Sequence, residues 1–315
     1  MMKVAAEADL RPFVATGGAA AVPTVAIRSR LADYLELTKP RIAVMALFTV
    51  AAGYWLGAGT DSNSRMLFHT LLGAGLVAAG GSALNQVFER RTDARMRRTA
   101  NRPLPAGRVS AEQAAIFGSV MSGVGLAYLL ATVPPAATLA AGVTLLSYVL
   151  IYTPLKTVTA WNTVIGAVPG ALPPVIGWCA ARGWEDVGGA TALFLVLFVW
   201  QLPHFLAIAW MYRHDYAGAG LKMLPGTDPT GKRTAVVMVT TAAALIPVGF
   251  VALWVGLAGG VYAAGATLLG IQFLRKTLGF ARDRSDRQAK RVLRASLLYL
   301  PGVFALLLLD SLLLK

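Results

Sequence analysis

The chain has 315 residues, of which 56% are hydrophobic and only 14% are charged. Soluble domains carry about 25% charged residues, so this composition favours a membrane protein with several spans over a soluble two-domain protein. The net charge of +14 does not indicate nucleic-acid binding, because the basic residues are confined to short segments between apolar runs. The single cysteine, Cys179, excludes a disulfide within the chain.

The first segment of the chain differs from the rest. Residues 1–30 are rich in Ala, Val and Gly, but Glu7, Asp9, Arg11 and Pro23 interrupt them. The segment lacks the basic-then-apolar order of a secretory signal peptide. We interpret residues 1–30 as a flexible cytosolic tail, with an organellar targeting segment as the alternative, and residues 31–315 as one membrane domain.

Nine apolar runs are candidates for membrane-spanning helices, which need about 20 apolar residues, and the eighth run is short. In chain order they are Ile42 to Gly59, Met66 to Phe88, Ala114 to Val133, Ala136 to Tyr152, Asn162 to Ala180, Gly189 to Tyr212, Ala235 to Leu257, Gly259 to Leu274 and Ala295 to Leu314. The sequence therefore predicts an all-α polytopic bundle.

The distribution of basic residues predicts the orientation. The third and fourth spans meet at Pro134-Pro135, and the seventh and eighth meet at a turn of four small or apolar residues, 257–260. With the N-terminus inside, only Arg65, Arg182 and Lys315 of the 29 basic residues face outward. Under the positive-inside rule this places the charged loops, and the function, on the cytoplasmic side.

The second span ends in the most highly charged stretch, NQVFERRTDARMRRTANRPLP, residues 85–105. Asn85, Glu89 and Asp93 follow each other every four residues and therefore line one helix face. Oxygen ligands in a row suit Mg²⁺, which shares its site with substrate phosphates, and guanidinium groups match phosphate oxygens. Candidate phosphate-binding arginines are Arg90, Arg97 and Arg102. The alternative is a solvated helix end whose acids form local ion pairs.

A second polar group ends the sixth span, in WQLPHFLAIAWMYRHDYAGAG. His204 lies inside the apolar run beside Pro203, where an imidazole is either a hydrogen-bonded core residue or a ligand and proton-transfer group. Asp215 is a candidate second metal ligand and Arg213 a candidate phosphate partner. Tyr216 is a candidate contact for an alkyl chain or a cation, or part of an interfacial aromatic belt.

The stretch from Tyr152 to Trp178 contains Lys156 and Asn162 at the inner boundary. The glycines and prolines that follow favour either close helix packing or space for a flat, bulky ligand.

These residues resemble the UbiA-type intramembrane prenyltransferases, and within them the protohaem IX farnesyltransferase branch. The resemblance rests on N85xxxE89xxxD93 running into M96xRT99xxRPLPAGR108, and on Y152TPLK156, N162T163, G170AxPPxxGW178, WQLPHF205 and YRHDYAGAGLKMLP225. Quinone-making relatives usually carry an acid-rich DxxxD second motif. Here Arg213-His214-Asp215-Tyr216 stands in its place, which favours the haem branch but leaves the number of Mg²⁺ ions open.

The resemblance implies nine helices around a central cavity and transfer of the farnesyl group of farnesyl diphosphate to haem B. It implies metal ligands and catalytic residues at Asn85, Glu89, Asp93 and Asp215, and diphosphate contacts at Arg90, Arg97, Arg102, Lys156 and Arg213. Haem and prenyl-chain contacts would be Asn162, Trp178, His204, Phe205 and Tyr216. We expect a bacterial inner membrane rather than a mitochondrial one, with haem A synthase or oxidase assembly proteins as partners. The alternatives are a quinone-ring prenyltransferase and a haem-binding or transport membrane protein.

Overall fold

The computed structural model describes residues 29–313, and this part of the chain is helical and contains no strand. The predicted tail therefore lies almost wholly outside the described residues; Ser29 caps the first helix and Arg30 begins it. The α-helices are α1 Arg30–Leu37, α2 Pro40–Ala58, α3 Ser64–Asp93, α4 Ala111–Thr132, α5 Pro135–Leu146, α6 Thr153–Leu155, α7 Asn162–Ala171, α8 Pro173–Arg182, α9 Val187–Met211, α10 Arg213–Gly218, α11 Lys232–Gly249, α12 Val251–Trp254, α13 Gly260–Arg282 and α14 Asp286–Leu313.

Three of the predicted spans are composite. A π-helix, Ser147–Tyr152, continues α5 into α6. Helices α7 and α8 are separated only at Leu172, before Pro173, and Phe250 joins α11 to α12. By contrast, α9 runs through Pro203 without ending.

Within the described residues, eight helical stretches are long and apolar enough to cross a membrane: Pro40–Ala58, Ser64–Asp93, Ala111–Thr132, Pro135–Leu155, Asn162–Arg182, Val187–Met211, Lys232–Trp254 and Asp286–Leu313. The predicted ninth run, Gly259 to Leu274, forms most of α13 but is not among them. Gln272, Arg275 and Lys276 make the C-terminal half of α13 polar. The helix still packs against α11 and α14, and Leu268 on its surface is 69% exposed. An exposed leucine of this kind suits contact with lipid.

The helices pack as two groups. The first pairs α3 with α4 and α2 with α8, and the second packs α9, α11, α13 and α14 together. Glycine allows the closest of these contacts. A Cβ on Gly177 would overlap the carbonyl oxygen of Val50, and one on Gly53 would overlap that of Pro174. Helices α2 and α8 are therefore in backbone contact, as expected for small residues at membrane helix interfaces.

A short segment of turns covers the C-terminal end of α3. Residues 94–110 form successive turns, and Leu104 and Val109 pack with Leu37 of α1. Arg108 donates to the Asp33 carboxylate at 2.7 Å and to the carbonyl oxygen of Asn101 at 3.1 Å. This loop is thus held against α1.

Candidate functional site

The three predicted oxygen ligands of α3 lie in one row, and each accepts a hydrogen bond from a different cationic side chain. Lys39 Nζ donates to Asn85 Oδ1 at 2.6 Å, and Lys156 Nζ donates to Glu89 Oε1 at 2.6 Å. A further residue, Arg102, donates to Asp93 Oδ2 at 2.7 Å. We call Asn85, Glu89 and Asp93 the oxygen row, and Lys39, Lys156 and Arg102 its cations. Asn85 and Asp93 are buried, although Asp93 is the last residue of its helix.

Lys39 was not predicted from the sequence. It precedes Pro40, the first residue of α2, and it has the left-handed φ of 49° that is uncommon for a residue with a side chain. Burial lowers the pKa of Lys39 to about 8, as do the nearby Arg102 and Lys156, whereas Glu89 and Asp93 oppose this shift. The one available sequence signal is a lysine three residues before the first predicted span.

Lys156 reaches the row from the end of the fourth span. Its ammonium group lies 4.4 Å from the centre of the Tyr152 ring, which stacks on Tyr148. Burial alone would lower the pKa of Lys156, but the neighbouring Tyr152 and Glu89 raise it well above its usual value. Both tyrosines belong to the π-helix, and π-helical turns frequently occur at functional sites.

Asn85 is fixed from two sides. Its side-chain nitrogen donates to the Thr153 hydroxyl at 2.9 Å, and its oxygen accepts from Lys39. The side-chain oxygen of Asn85 is therefore directed towards Lys39.

The donor set fits one Mg²⁺ ion shared with a diphosphate. Mg²⁺ is usually bound by one or two carboxylates together with substrate phosphates and water, and not by an all-protein cage. The row offers two carboxylates and an amide oxygen. Within residues 29–313 no cluster of three or more His, Cys, Asp or Glu side chains is placed to hold a metal. Asp215 is exposed on α10, and its role as a second ligand stays a prediction.

The charged stretch after the second span and the polar group that ends the sixth span contact each other in the structure. The phenol of Tyr216 accepts from Arg98 at 3.5 Å, and Met96 packs in one apolar cluster with Tyr216 and Leu221. The following loop is held by Asn162, whose amide donates to the Lys222 carbonyl oxygen at 2.9 Å. Burial raises the pKa of the Tyr216 phenol.

Three arginines that were predicted to contact the diphosphate do not contact the oxygen row. Arg90 donates to the carbonyl oxygen of Val87 on its own helix, and Arg97 is exposed. Arg213 is paired with Asp286 at 2.7 Å. Of the predicted arginines, only Arg102 binds the oxygen row. An arginine adjacent to Glu89 lies about 100° around the helix from it, which explains why Arg90 points elsewhere.

Trp178, which the resemblance implies as a haem or prenyl-chain contact, lies far from the oxygen row, and its contact with substrate stays a prediction. Its indole N–H donates to the carbonyl oxygen of Asp186 at 2.7 Å, and its ring packs against Gly57 at the far end of α2. Lys39, at the other end of α2, binds the oxygen row. Eighteen helical residues span about 27 Å, whereas a cation–π contact requires about 6 Å.

His204 and Phe205 lie on α9. The His204 ring stacks on Trp200 with centroids 4.9 Å apart, and its Nδ1 is 2.7 Å from the Ser296 hydroxyl. Phe205 meets His204 edge-on at 5.4 Å and is 39% exposed. His204 is thus hydrogen-bonded through Nδ1, which both interpretations allow, and its role stays a prediction.

The helical bundle matches a known class of membrane enzyme. Residues 46–300 match the model of the UbiA prenyltransferase family, so the chain belongs to this family. Two curated relatives are both named protoheme IX farnesyltransferase. One, from Solibacter usitatus (strain Ellin6076), is 46% identical over 88% of this chain and 98% of its own length. The other, from Salinibacter ruber (strain DSM 13855 / M31), is 44% identical over the same shares.

Solved structures show the same fold. A digeranylgeranylglyceryl phosphate synthase superposes with a TM-score of 0.74 at 18% identity, covering 89% of this chain and 98% of the other. A UbiA homologue from Archaeoglobus fulgidus, bound to GPP and Mg²⁺, superposes with a TM-score of 0.62 at 18% identity, covering 87% of this chain and 99% of the other. The predicted all-helical membrane fold and the predicted family are therefore confirmed.

Proposed function

We propose that this chain transfers the farnesyl group of farnesyl diphosphate to a vinyl group of haem B, with addition of water, to give haem O and diphosphate. The observation that carries the proposal is the oxygen row with its cations: two carboxylates and one amide oxygen face Lys39, Lys156 and Arg102. Oxygen ligands and cations side by side are what a metal-bound diphosphate requires. The names of the two curated relatives support haem as the acceptor.

The first step separates charge. The bond between farnesyl C1 and the diphosphate oxygen breaks, its electron pair stays on diphosphate, and an allylic cation forms. In a low-dielectric site this separation is very unfavourable unless the leaving group is neutralised. Bound Mg²⁺ would supply Lewis-acid neutralisation of that leaving group. Lys39, Lys156 and Arg102 would add fixed positive charge directed at the same oxygens.

The second step forms the new carbon–carbon bond. The haem vinyl group attacks C1, which leaves a cation on the haem-side carbon; water adds there, and loss of one proton gives the hydroxyl group of haem O. Tyr216 is the aromatic candidate for steadying the allylic cation, because it lies beside the loop that carries Arg102 and its phenol contacts Arg98. His204 is the candidate for haem contact or for accepting the proton of that water.

The experiment supplies the purified protein with farnesyl diphosphate and either haem B or a hydroxybenzoate, and identifies the product by mass spectrometry. We expect farnesylated haem only, and its formation to stop with EDTA and recover with Mg²⁺. Prenylated hydroxybenzoate as the main product would favour the quinone-ring alternative. Haem binding without any transfer would favour the haem-binding or transport alternative.

The remaining assignments complete the proposal. We place the chain in a bacterial inner membrane with its N-terminus in the cytoplasm, because the basic loops would then face inward. Association with haem A synthase or oxidase assembly proteins would pass the product on. Arg90, Arg97, Arg213 and Asp215 would act on the diphosphate only if substrate binding rearranged their present partners or positions.

A further inference from the structure

A compact hydrogen-bond network joins α9 to α14 away from the oxygen row. His204 Nδ1 lies 2.7 Å from the Ser296 hydroxyl oxygen. The indole N–H of Trp200 donates to the backbone carbonyl oxygen of the same serine at 2.9 Å, and Trp200 stacks on the imidazole. Ser296 is completely buried. One serine thus fixes both the histidine and the ring that supports it.

The hydrogen bonds of Ser296 favour protonation of one imidazole nitrogen over the other. A serine hydroxyl has one hydrogen to donate. The Ser296 hydroxyl directs it to the carbonyl oxygen of Leu293 at 2.7 Å. The serine oxygen therefore accepts from His204, which places the ring proton on Nδ1. The neutral ring then has its lone pair on Nε2.

This form of histidine is the one that binds metals. Neutral imidazole is the ligating form, and a metal-bound histidine almost always donates its other ring N–H to an oxygen acceptor. A positive charge on His204 would be costly within the apolar α9. The described residues hold no cluster of three His, Cys, Asp or Glu side chains suited to a metal. A single histidine can therefore complete only a metal whose other ligands do not come from this chain. A porphyrin supplies four such ligands.

We infer that His204 Nε2 binds the iron of the haem acceptor and that Ser296 is the positioning residue that holds His204 in the required tautomer. The inference rests on the proposed function, since haem is the acceptor there. The neighbouring Phe205, 39% exposed and edge-on to His204, provides an apolar surface for the flat macrocycle. The iron would anchor haem while its vinyl group reacts.

The first experiment titrates the full-length protein in nanodiscs with ferric haem B and records the Soret band and the electron paramagnetic resonance spectrum, without farnesyl diphosphate. We expect a histidine-ligated spectrum. His204→Gly should lose this spectrum and regain it on addition of imidazole. Ser296→Ala should weaken haem binding about tenfold, the lower end of the effect of removing a partner that orients a metal ligand.

Two matched controls separate ligation from general damage. Ser122→Ala also removes a buried serine hydroxyl, but one that has no hydrogen-bond partner among the described residues. His69→Ala removes a second membrane histidine, bonded to Tyr128 at 2.6 Å. Both should leave the haem spectrum and affinity unchanged. An unaltered spectrum in His204→Gly, or equal effects of Ser296→Ala and Ser122→Ala, would overturn the inference.

A measurement on the unsubstituted protein tests the tautomer directly, even if Ser296→Ala does not fold. Nitrogen-15 resonances of labelled histidine in the haem-free protein should show His204 protonated at Nδ1; protonation at Nε2 would overturn the role of Ser296. These outcomes are distinguishable from failure of the proposed function. A protein that ligates haem through His204 but forms no farnesylated product would refute the transfer proposal and leave the ligand assignment intact.

Discussion

Replacement of Lys39 by methionine tests the part of the site that the sequence did not reveal. Methionine keeps the unbranched apolar stem and removes the ammonium group that donates to Asn85 at 2.6 Å. With a pKa of about 8, about nine-tenths of Lys39 is charged at pH 7. The substitution therefore removes nearly one full positive charge from the cations of the oxygen row.

The expected magnitude follows from what the ammonium group does. A preorganised donor aimed at developing charge is worth about 10²–10³ in rate, or roughly 2.7–4 kcal/mol. The substitution also leaves the buried side-chain oxygen of Asn85 without a donor, at a cost of about 1–3 kcal/mol in stability. We therefore expect kcat/KM for farnesyl diphosphate to fall at least about 100-fold, with a folded protein of lower thermal stability.

The assay measures farnesylated haem in nanodiscs at pH 7 under saturating haem, and thermal unfolding is followed in parallel. Lys232→Met is the matched control, because Lys232 is an exposed lysine at the start of α11. It should retain wild-type kcat/KM. If Lys39→Met kept kcat/KM within twofold of wild type, or if Lys232→Met lost as much, the assignment of Lys39 to the diphosphate would be refuted.

Three further substitutions test other parts of the structure. Asp93→Ala should lower transfer by about 10²–10³ while the protein stays folded; product formation with Mg²⁺ at near wild-type rate would exclude this carboxylate from the site. Gly177→Ala should strongly lower thermal stability, since a Cβ there overlaps the Val50 carbonyl oxygen, whereas Gly123→Ala, which meets no neighbour within 4 Å, should not. Trp178→Phe should cost about 1 kcal/mol of stability through its lost hydrogen bond but leave kcat unchanged; a large fall in kcat would support its predicted contact with substrate.

The spacing of residues along the sequence predicted which side chains share one face of a helix. Asn85, Glu89 and Asp93 repeat every four residues, so their common face followed from helical geometry alone. Apolar runs likewise placed the spans, because a bilayer sets their length. The run within α13 was recognised, but Arg275 and Lys276 make its C-terminal half too polar to be counted with the other eight.

Contacts between distant segments were not predictable in the same way. Lys39 and Asn85 are 46 residues apart, and their pairing depends on a left-handed backbone at Lys39 that no pattern indicated. The distance between Trp178 and the oxygen row had a signal in the sequence. Trp178 precedes Arg182 by one helical turn, and the charge pattern predicts that Arg182 faces outward. Tertiary partners such as Asp286, which binds Arg213, can be seen only in the folded chain.

The electrostatic balance of the oxygen row has a consequence for the order in which substrates arrive. Two carboxylates stand opposite three basic groups, which leaves a small surplus of positive charge before anything binds. A free divalent ion entering alone would be repelled, whereas a prenyl diphosphate already carrying its magnesium is anionic and would be attracted. If the oxygen row binds the substrate as proposed, this surplus of positive charge favours arrival of the two together.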